Sequence, residues 1–166
     1  MSSLNTLLNT IIDLCTRLYG IYTYARRRVI LAYYSANGAR IGKDTYLSPT
    51  TYIDVHRPGK VVIGDNCYIT RNVVILCHTD TRKGGPLSIY EKAGGRREFG
   101  DVVIGDNVFI GVNSVVMPGV SIGSNAIIGA LSLVTEDIPA GKVAVGVPAK
   151  VVGDTSDHIS DSGHKR

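Results

Sequence analysis

The sequence predicts an all-β solenoid, a parallel β-helix of hexapeptide repeats carrying an N-terminal amphipathic α-helix. Three observations predict it. From Ile104 to Pro139 six hexads follow without a slip: IGDNVF, IGVNSV, VMPGVS, IGSNAI, IGALSL and VTEDIP. A strict period of six fits neither a 3.6-residue helix nor an alternating strand, and it is the mark of short faces joined by tight corners. The 19 glycines and the absence of Trp suit a slim core with many corners.

The hexad has a simple grammar. Position one is Ile or Val and points inward: Ile104, Ile110, Val116, Ile122, Ile128 and Val134. Position five is apolar or small and packs beside it. Gly and Asn at positions two and four suit corner dihedrals that β-branched residues reject.

Taken in order, residues 1–36 form the helical segment. Between residues 4 and 31, Leu4, Ile11, Leu18 and Ala25 recur every seven residues, with Leu7, Leu14 and Ile21 in a second row. Leu8, Cys15, Tyr22 and Val29 make a third row and widen the apolar stripe. Arg26, Arg27 and Arg28 follow the stripe. Two readings stand: a cap over the open end of the solenoid or an oligomer contact, and a peripheral membrane contact through residues 4–31.

Asn37 and Gly38 end the helical pattern. The solenoid is expected over residues 37–153. Its hexads start at Ile41, Leu47 and Ile53, pause for four residues, and resume at Ile63, Ile69 and Ile75. Residues 79–101 fall out of phase and read as an inserted functional loop. With three hexads per turn, Ile53, Ile75, Val116 and Val134 stack on one side. Residues 154–166, with His158 and His164, are expected to be a disordered polar tail.

The candidate chemistry lies where the grammar fails. Position four, usually Asn, is His78 in ILCHTD and His56 in IDVHRP. A neutral imidazole can take a proton from a hydroxyl, and His78 opens the insertion. His78 is therefore the candidate general base and His56 a candidate substrate contact. Asp54, two residues before His56, is a candidate for holding a substrate hydroxyl or fixing an imidazole tautomer; a solvated turn carboxylate is the alternative.

Composition sets the boundaries. A formal net charge of +4 is too mild to imply nucleic acid and suits an anionic small molecule. Three cysteines, Cys15, Cys67 and Cys77, without a CxxC pair indicate neither a disulfide framework nor a zinc site. No signal peptide and no bilayer-spanning run is read, so a cytoplasmic setting is expected, with a peripheral place on the inner face of the membrane if the helix is an anchor.

The hexads, the VVILCHTD segment, the insertion and the ending SLVTEDIPAGKVAVGVPAKVV together resemble the hexapeptide-repeat acyltransferases, over about Ile41 to Val152. Galactoside, maltose and serine O-acetyltransferases belong to that family, as do enzymes acting on capsule and exopolysaccharide sugars. The resemblance implies a left-handed β-helix, an exception to the right-handed crossover rule. It implies acetyl-CoA as co-substrate with no metal, and a homotrimer with active sites between subunits. It implies a sugar hydroxyl as acceptor in polysaccharide or glycoconjugate biosynthesis, and His78 as catalytic base. Val112, Ala130, Thr135 and Lys150 match positions lining the family's CoA groove. Val112 stands where the galactoside type has Ser, and Glu136 where it has Lys. Alternatives are an N-acetyltransferase of an amino sugar or antibiotic, a zinc hydratase lacking its third His, and a non-catalytic trimeric scaffold.

Overall fold

The computed structural model describes residues 2–55, 60–78 and 99–159. A long helix α1 (Ser2–Ala36) leads into twelve short strands arranged as four triangular coils. The first coil holds β1 (Arg40–Ile41), β2 (Tyr46–Leu47) and β3 (Tyr52–Ile53). The second holds β4 (Val61–Ile63), β5 (Tyr68–Ile69) and β6 (Val74–Ile75). The third holds β7 (Val102–Ile104), β8 (Phe109–Ile110) and β9 (Val115–Val116), and the fourth β10 (Ser121–Ile122), β11 (Ile127–Ile128) and β12 (Leu133–Val134). Each strand pairs in parallel with its equivalent one coil on, which makes three flat faces of a left-handed β-helix.

The expected stacking is the observed one. Ile53 registers with Ile75, Ile75 with Val116, and Val116 with Val134. The position-one side chains fill the core: Leu47, Ile69, Ile75, Ile110 and Ile128 have no exposed surface. Position five is buried throughout the described coils, including Cys67, whose thiol is pushed up by burial. Where that position is polar its hydroxyl is satisfied. Ser114 Oγ donates to the Gly129 carbonyl at 2.9 Å, and Thr45 Oγ1 to that of Gly64 at 2.7 Å. Outside, Tyr46, Tyr68 and Phe109 stack face to face along the solenoid axis, so the first three coils are also tied to one another by aromatic contact.

The corner residues divide their labour more finely than the grammar suggested. Position four is where the backbone turns left-handed: Asn66, Asn72, Asn107, Asn113 and Asn125 all have φ between 54° and 62°. The glycine at position two has another reason to be there. A Cβ on Gly64 would meet the Gly105 carbonyl of the next coil at 2.7 Å, so the residue is small because two coils touch at that corner.

Leu131 breaks the corner rule. It adopts φ 59° with a bulky side chain that is 66% exposed. A left-handed non-glycine residue costs about 1–2 kcal/mol, and less for Asn. Leu131→Asn is therefore expected to stabilise the protein by about 1 kcal/mol, seen as a higher urea midpoint at unchanged slope.

Both ends of the solenoid are closed. Asn37 and Gly38 end α1, with Gly38 at φ 99°. Ile30 and Leu31 pack on the core, and Tyr34 is buried. The Tyr34 hydroxyl donates to the Thr51 carbonyl at 3.1 Å and accepts from the Ile53 N–H at 3.2 Å, occupying polar groups of the first coil's open edge. At the far end β13 (Lys142–Gly146) continues the β2-containing sheet, and β14 (Ala149–Asp154) folds back antiparallel beside it.

One expectation needs correction here. Ordered structure continues past Asp154 into a short helix α2 (Thr155–Ile159). Thr155 is buried, and both its N–H and its Oγ1 donate to the Gly141 carbonyl, which pins the chain to the last coil. Residues 160–166 lie outside the described residues. No helix among the described residues is long and apolar enough to cross a membrane.

Candidate active site

The second coil ends in a short segment that breaks the repeat. β6 delivers Leu76, Cys77 and His78 to the corner, where position four would ordinarily turn left-handed. His78 does not turn. It forms an antiparallel bridge with Phe99, and the Gly100 N–H donates to the Cys77 carbonyl at 3.0 Å. The chain thus leaves the solenoid at His78 and rejoins it at Phe99, and this bridge is the neck of the insertion. The Phe99 ring stacks on the imidazole, with centroids 6.0 Å apart and planes 19° from parallel. The Lys60 N–H donates to Asp101 Oδ1 at 2.9 Å and secures the return. Residues 79–98, which make up most of the expected loop, lie outside the described residues, as does His56.

Asp54 lies beneath the imidazole. It sits one coil below His78 on the stacked face, at the corner after β3, and is fully buried. Its Oδ2 accepts from the Cys77 N–H at 3.2 Å, from the His78 N–H at 3.1 Å, and from His78 Nδ1. A carboxylate can be held away from water only when so compensated. Because the carboxylate is acceptor-only, the His78 proton sits on Nδ1 and the ring lone pair on Nε2. Of the two roles considered for Asp54, its burial fits the one that fixes a tautomer and does not fit direct contact with a substrate hydroxyl. The imidazole itself is partly exposed, at 27% of its side-chain surface, so a reactant can reach it.

Two neighbours complete the surroundings. Tyr52 precedes Asp54 by two residues and shares its face of the strand. Burial, with the Asp54 charge adding, pushes the Tyr52 hydroxyl up, so it remains a protonated donor at neutral pH. Cys77 is buried, and its Sγ donates to the Asp54 carbonyl at 3.4 Å. Asp54, Cys77 and His78 bring one oxygen, one sulfur and one nitrogen within 4.8 Å of one another. Those three groups could hold a metal ion, and they are also engaged within the protein. Asp54 Oδ2 already accepts three hydrogen bonds, and the Cys77 sulfur is engaged with a backbone carbonyl.

The four residues matched to a cofactor groove fall on two edges. Thr135 is exposed on the corner line that carries His78, two coils further along, about 10 Å at strand spacing, and Lys150, exposed on β14, reaches that corner through its side chain. Val112 and Ala130 stack on the adjacent corner, where the Leu131 N–H donates to the Val112 carbonyl at 2.9 Å. The two edges bound the face formed by β3, β6, β9 and β12. Lys150 Nζ donates to Glu136 Oε2 at 3.3 Å, so the departure at Glu136 directly engages the one lysine of that set. Phe99 was not singled out from sequence; its signal was its position, immediately before the hexad phase resumes.

Comparison with known proteins agrees with this fold. Residues 101–136 match the family model described as bacterial transferase hexapeptide (six repeats). The chain is 37% identical over 102 residues to galactoside O-acetyltransferase of Escherichia coli (strain K12), covering 58% of this chain and 45% of that protein. It is 56% identical over 61 residues to 2,3,4,5-tetrahydropyridine-2,6-dicarboxylate N-acetyltransferase of Staphylococcus carnosus (strain TM300), covering 37% of this chain and 25% of that one. The structure resembles a galactoside acetyltransferase solved in complex with coenzyme A, at 27% identity and TM-score 0.50, over 76% of this chain and 70% of that one. The chain spans about half the length of such curated relatives: 45%, 59% and 52% for three of them.

Proposed function

Because the chain belongs to the hexapeptide-repeat transferase family, we propose that it is an acetyl-CoA-dependent O-acetyltransferase acting on a sugar hydroxyl, in polysaccharide or glycoconjugate biosynthesis. The observation that carries this reading is the Asp54–His78 couple at the neck of the insertion. An alcohol is a poor nucleophile until its proton is removed. A partly exposed imidazole held as the Nδ1–H tautomer, with its lone pair on Nε2, is the group to remove it. A primary amine needs less help, so a built base favours a hydroxyl acceptor over an amine, even though relatives of both kinds exist.

The steps follow from the residues. His78 Nε2 takes the acceptor proton as the hydroxyl oxygen bonds to the thioester carbonyl carbon. Asp54 stabilises the imidazolium that results. The tetrahedral oxyanion is met by a backbone N–H at a glycine-rich corner. Collapse breaks the carbon–sulfur bond, and the imidazolium returns its proton to the CoA thiolate. Coenzyme A lies along the face bounded by Val112 and Ala130 on one edge and Thr135 and Lys150 on the other. Its phosphates meet Lys150 once that side chain parts from Glu136. Two further parts belong to the reading: a homotrimer that closes each groove with a neighbouring subunit, and His56 at the acceptor. No step calls for a metal.

The test is a panel of hydroxylated and amino sugars offered with acetyl-CoA, followed by release of free thiol and by mass of the product. Ester formation on a sugar hydroxyl is the expected result. Amide formation on every active acceptor, with no ester, would overturn the choice of O- over N-transfer.

A further inference from the structure

Among the described residues, the cap over the first coil uses the last turns of α1, through Ile30, Leu31 and Tyr34. The helix is far longer than that task requires. Its 35 residues run roughly 52 Å at 1.5 Å each, whereas one side of a coil, six residues of extended chain, spans about 20 Å.

The overhanging part carries an apolar stripe on the side away from the cap. Leu14, Leu18, Ile21, Tyr22 and Val29 are between 56% and 68% exposed, and their spacing places them on one helical face. At 100° per residue that face lies opposite Ile30, Leu31 and Tyr34, so packing on the solenoid leaves it uncovered. Arg17 and Arg28 border the stripe on one side and Arg26 on the other, all exposed. The helix holds a single acidic residue, Asp13, against four arginines.

We infer that α1 lies in the surface of an anionic lipid bilayer, with this stripe in the acyl boundary and the flanking arginines on the headgroups. Charge decides between this occupant and a second copy of the helix. A coiled-coil seam sets opposite charges at the positions beside its apolar core. Here those positions hold Cys15, Tyr22 and Val29 on one side and Arg17 and Tyr24 on the other, so the seam positions carry cation or no charge and offer no opposite-charge pairing between two copies. Cations at both borders and a wide apolar face are what an interfacial helix needs. The tyrosine at the border and the arginine stems, which can follow the apolar surface to reach phosphate, fit the same setting. The helix would lie along the surface, since it is not apolar enough to span the bilayer. The consequence is an acetyltransferase solenoid held against a membrane, which bears on where its acceptor is met.

Sedimentation of the full chain with vesicles tests the inference. With phosphatidylcholine vesicles containing phosphatidylglycerol the protein is expected in the pellet at low salt. It should move to the supernatant as salt rises, and remain there with phosphatidylcholine alone. Leu18→Glu with Ile21→Glu should abolish pelleting. Arg26→Gln with Arg28→Gln should weaken partitioning by about 25-fold, fivefold for each charge lost near an anionic surface. Both double variants alter exposed positions, so unchanged melting and unchanged thiol-release activity in solution would show that the solenoid is intact. The wild-type protein staying in the supernatant with anionic vesicles at low salt would overturn the inference. So would a drop in oligomeric state of the Leu18→Glu and Ile21→Glu variant by sedimentation velocity, which would make the stripe a contact between copies.

Discussion

Replacing His78 with Ala is expected to lower the acetyl-transfer rate by about 100- to 10,000-fold, the usual share of a general base. The loss should fall on kcat. Acetyl-CoA binding, measured by calorimetry, should be unchanged, because Thr135, the groove residue on the same corner line, lies two coils from the imidazole. Stability should fall by about 1–3 kcal/mol at most, because the buried Asp54 carboxylate loses the ring donor and keeps the Cys77 and His78 N–H groups. The fall should be steepest for hydroxyl acceptors and shallower for any amine acceptor, which carries its own lone pair. A variant with unchanged turnover on a sugar hydroxyl would remove His78 from the mechanism. A variant that lost acetyl-CoA binding would make His78 part of the cofactor groove instead.

Much of this geometry was legible before any coordinates. The phase of the hexads determines which residues stack, because a coil of three hexads brings the same position back over itself. Ile53, Ile75, Val116 and Val134 register as that count requires. His78 was visible as an exception to a local rule, and its neighbour Asp54 as a carboxylate one coil below. What the pattern could not reveal was contact. Whether Asp54 faced solvent, substrate or an imidazole depends on how tightly two coils approach at one corner. There Oδ2 collects two backbone N–H groups as well as the ring. Phe99 was invisible for a similar reason. Its place beside His78 depends on an excursion of some twenty residues closing on itself, and no period runs through such a segment. The reason for the position-two glycines was misjudged because composition cannot separate a residue that needs unusual dihedrals from one that needs no side chain. Gly64 is of the second kind.

Asp54 yields the second large effect, and its two variants should part company. Asp54→Asn keeps the volume and one acceptor oxygen. An amide nitrogen in the place of Oδ2 would move the imidazole proton to Nε2, the atom that must be empty to accept one, but would face the Cys77 and His78 N–H groups. An amide oxygen there keeps all three hydrogen bonds and loses the charge that stabilises the imidazolium. Turnover is then expected to fall by about 100-fold or more, in line with the cost of a wrong tautomer in histidine-dependent acyl transfer. The KM for acetyl-CoA should stay near its original value. Asp54→Ala removes every acceptor and strands the Cys77 and His78 N–H groups in a buried corner, at about 1–3 kcal/mol for each. It should therefore lose stability as well as activity, and a lowered urea midpoint would report it. A residue of purely structural importance would show the reverse ordering: full turnover in the folded Asn variant, with loss only where the fold itself is weakened. Turnover of Asp54→Asn at the wild-type level would mean that the imidazole needs no partner to set its tautomer, and the couple at the neck of the insertion would be a packing contact and not a catalytic one.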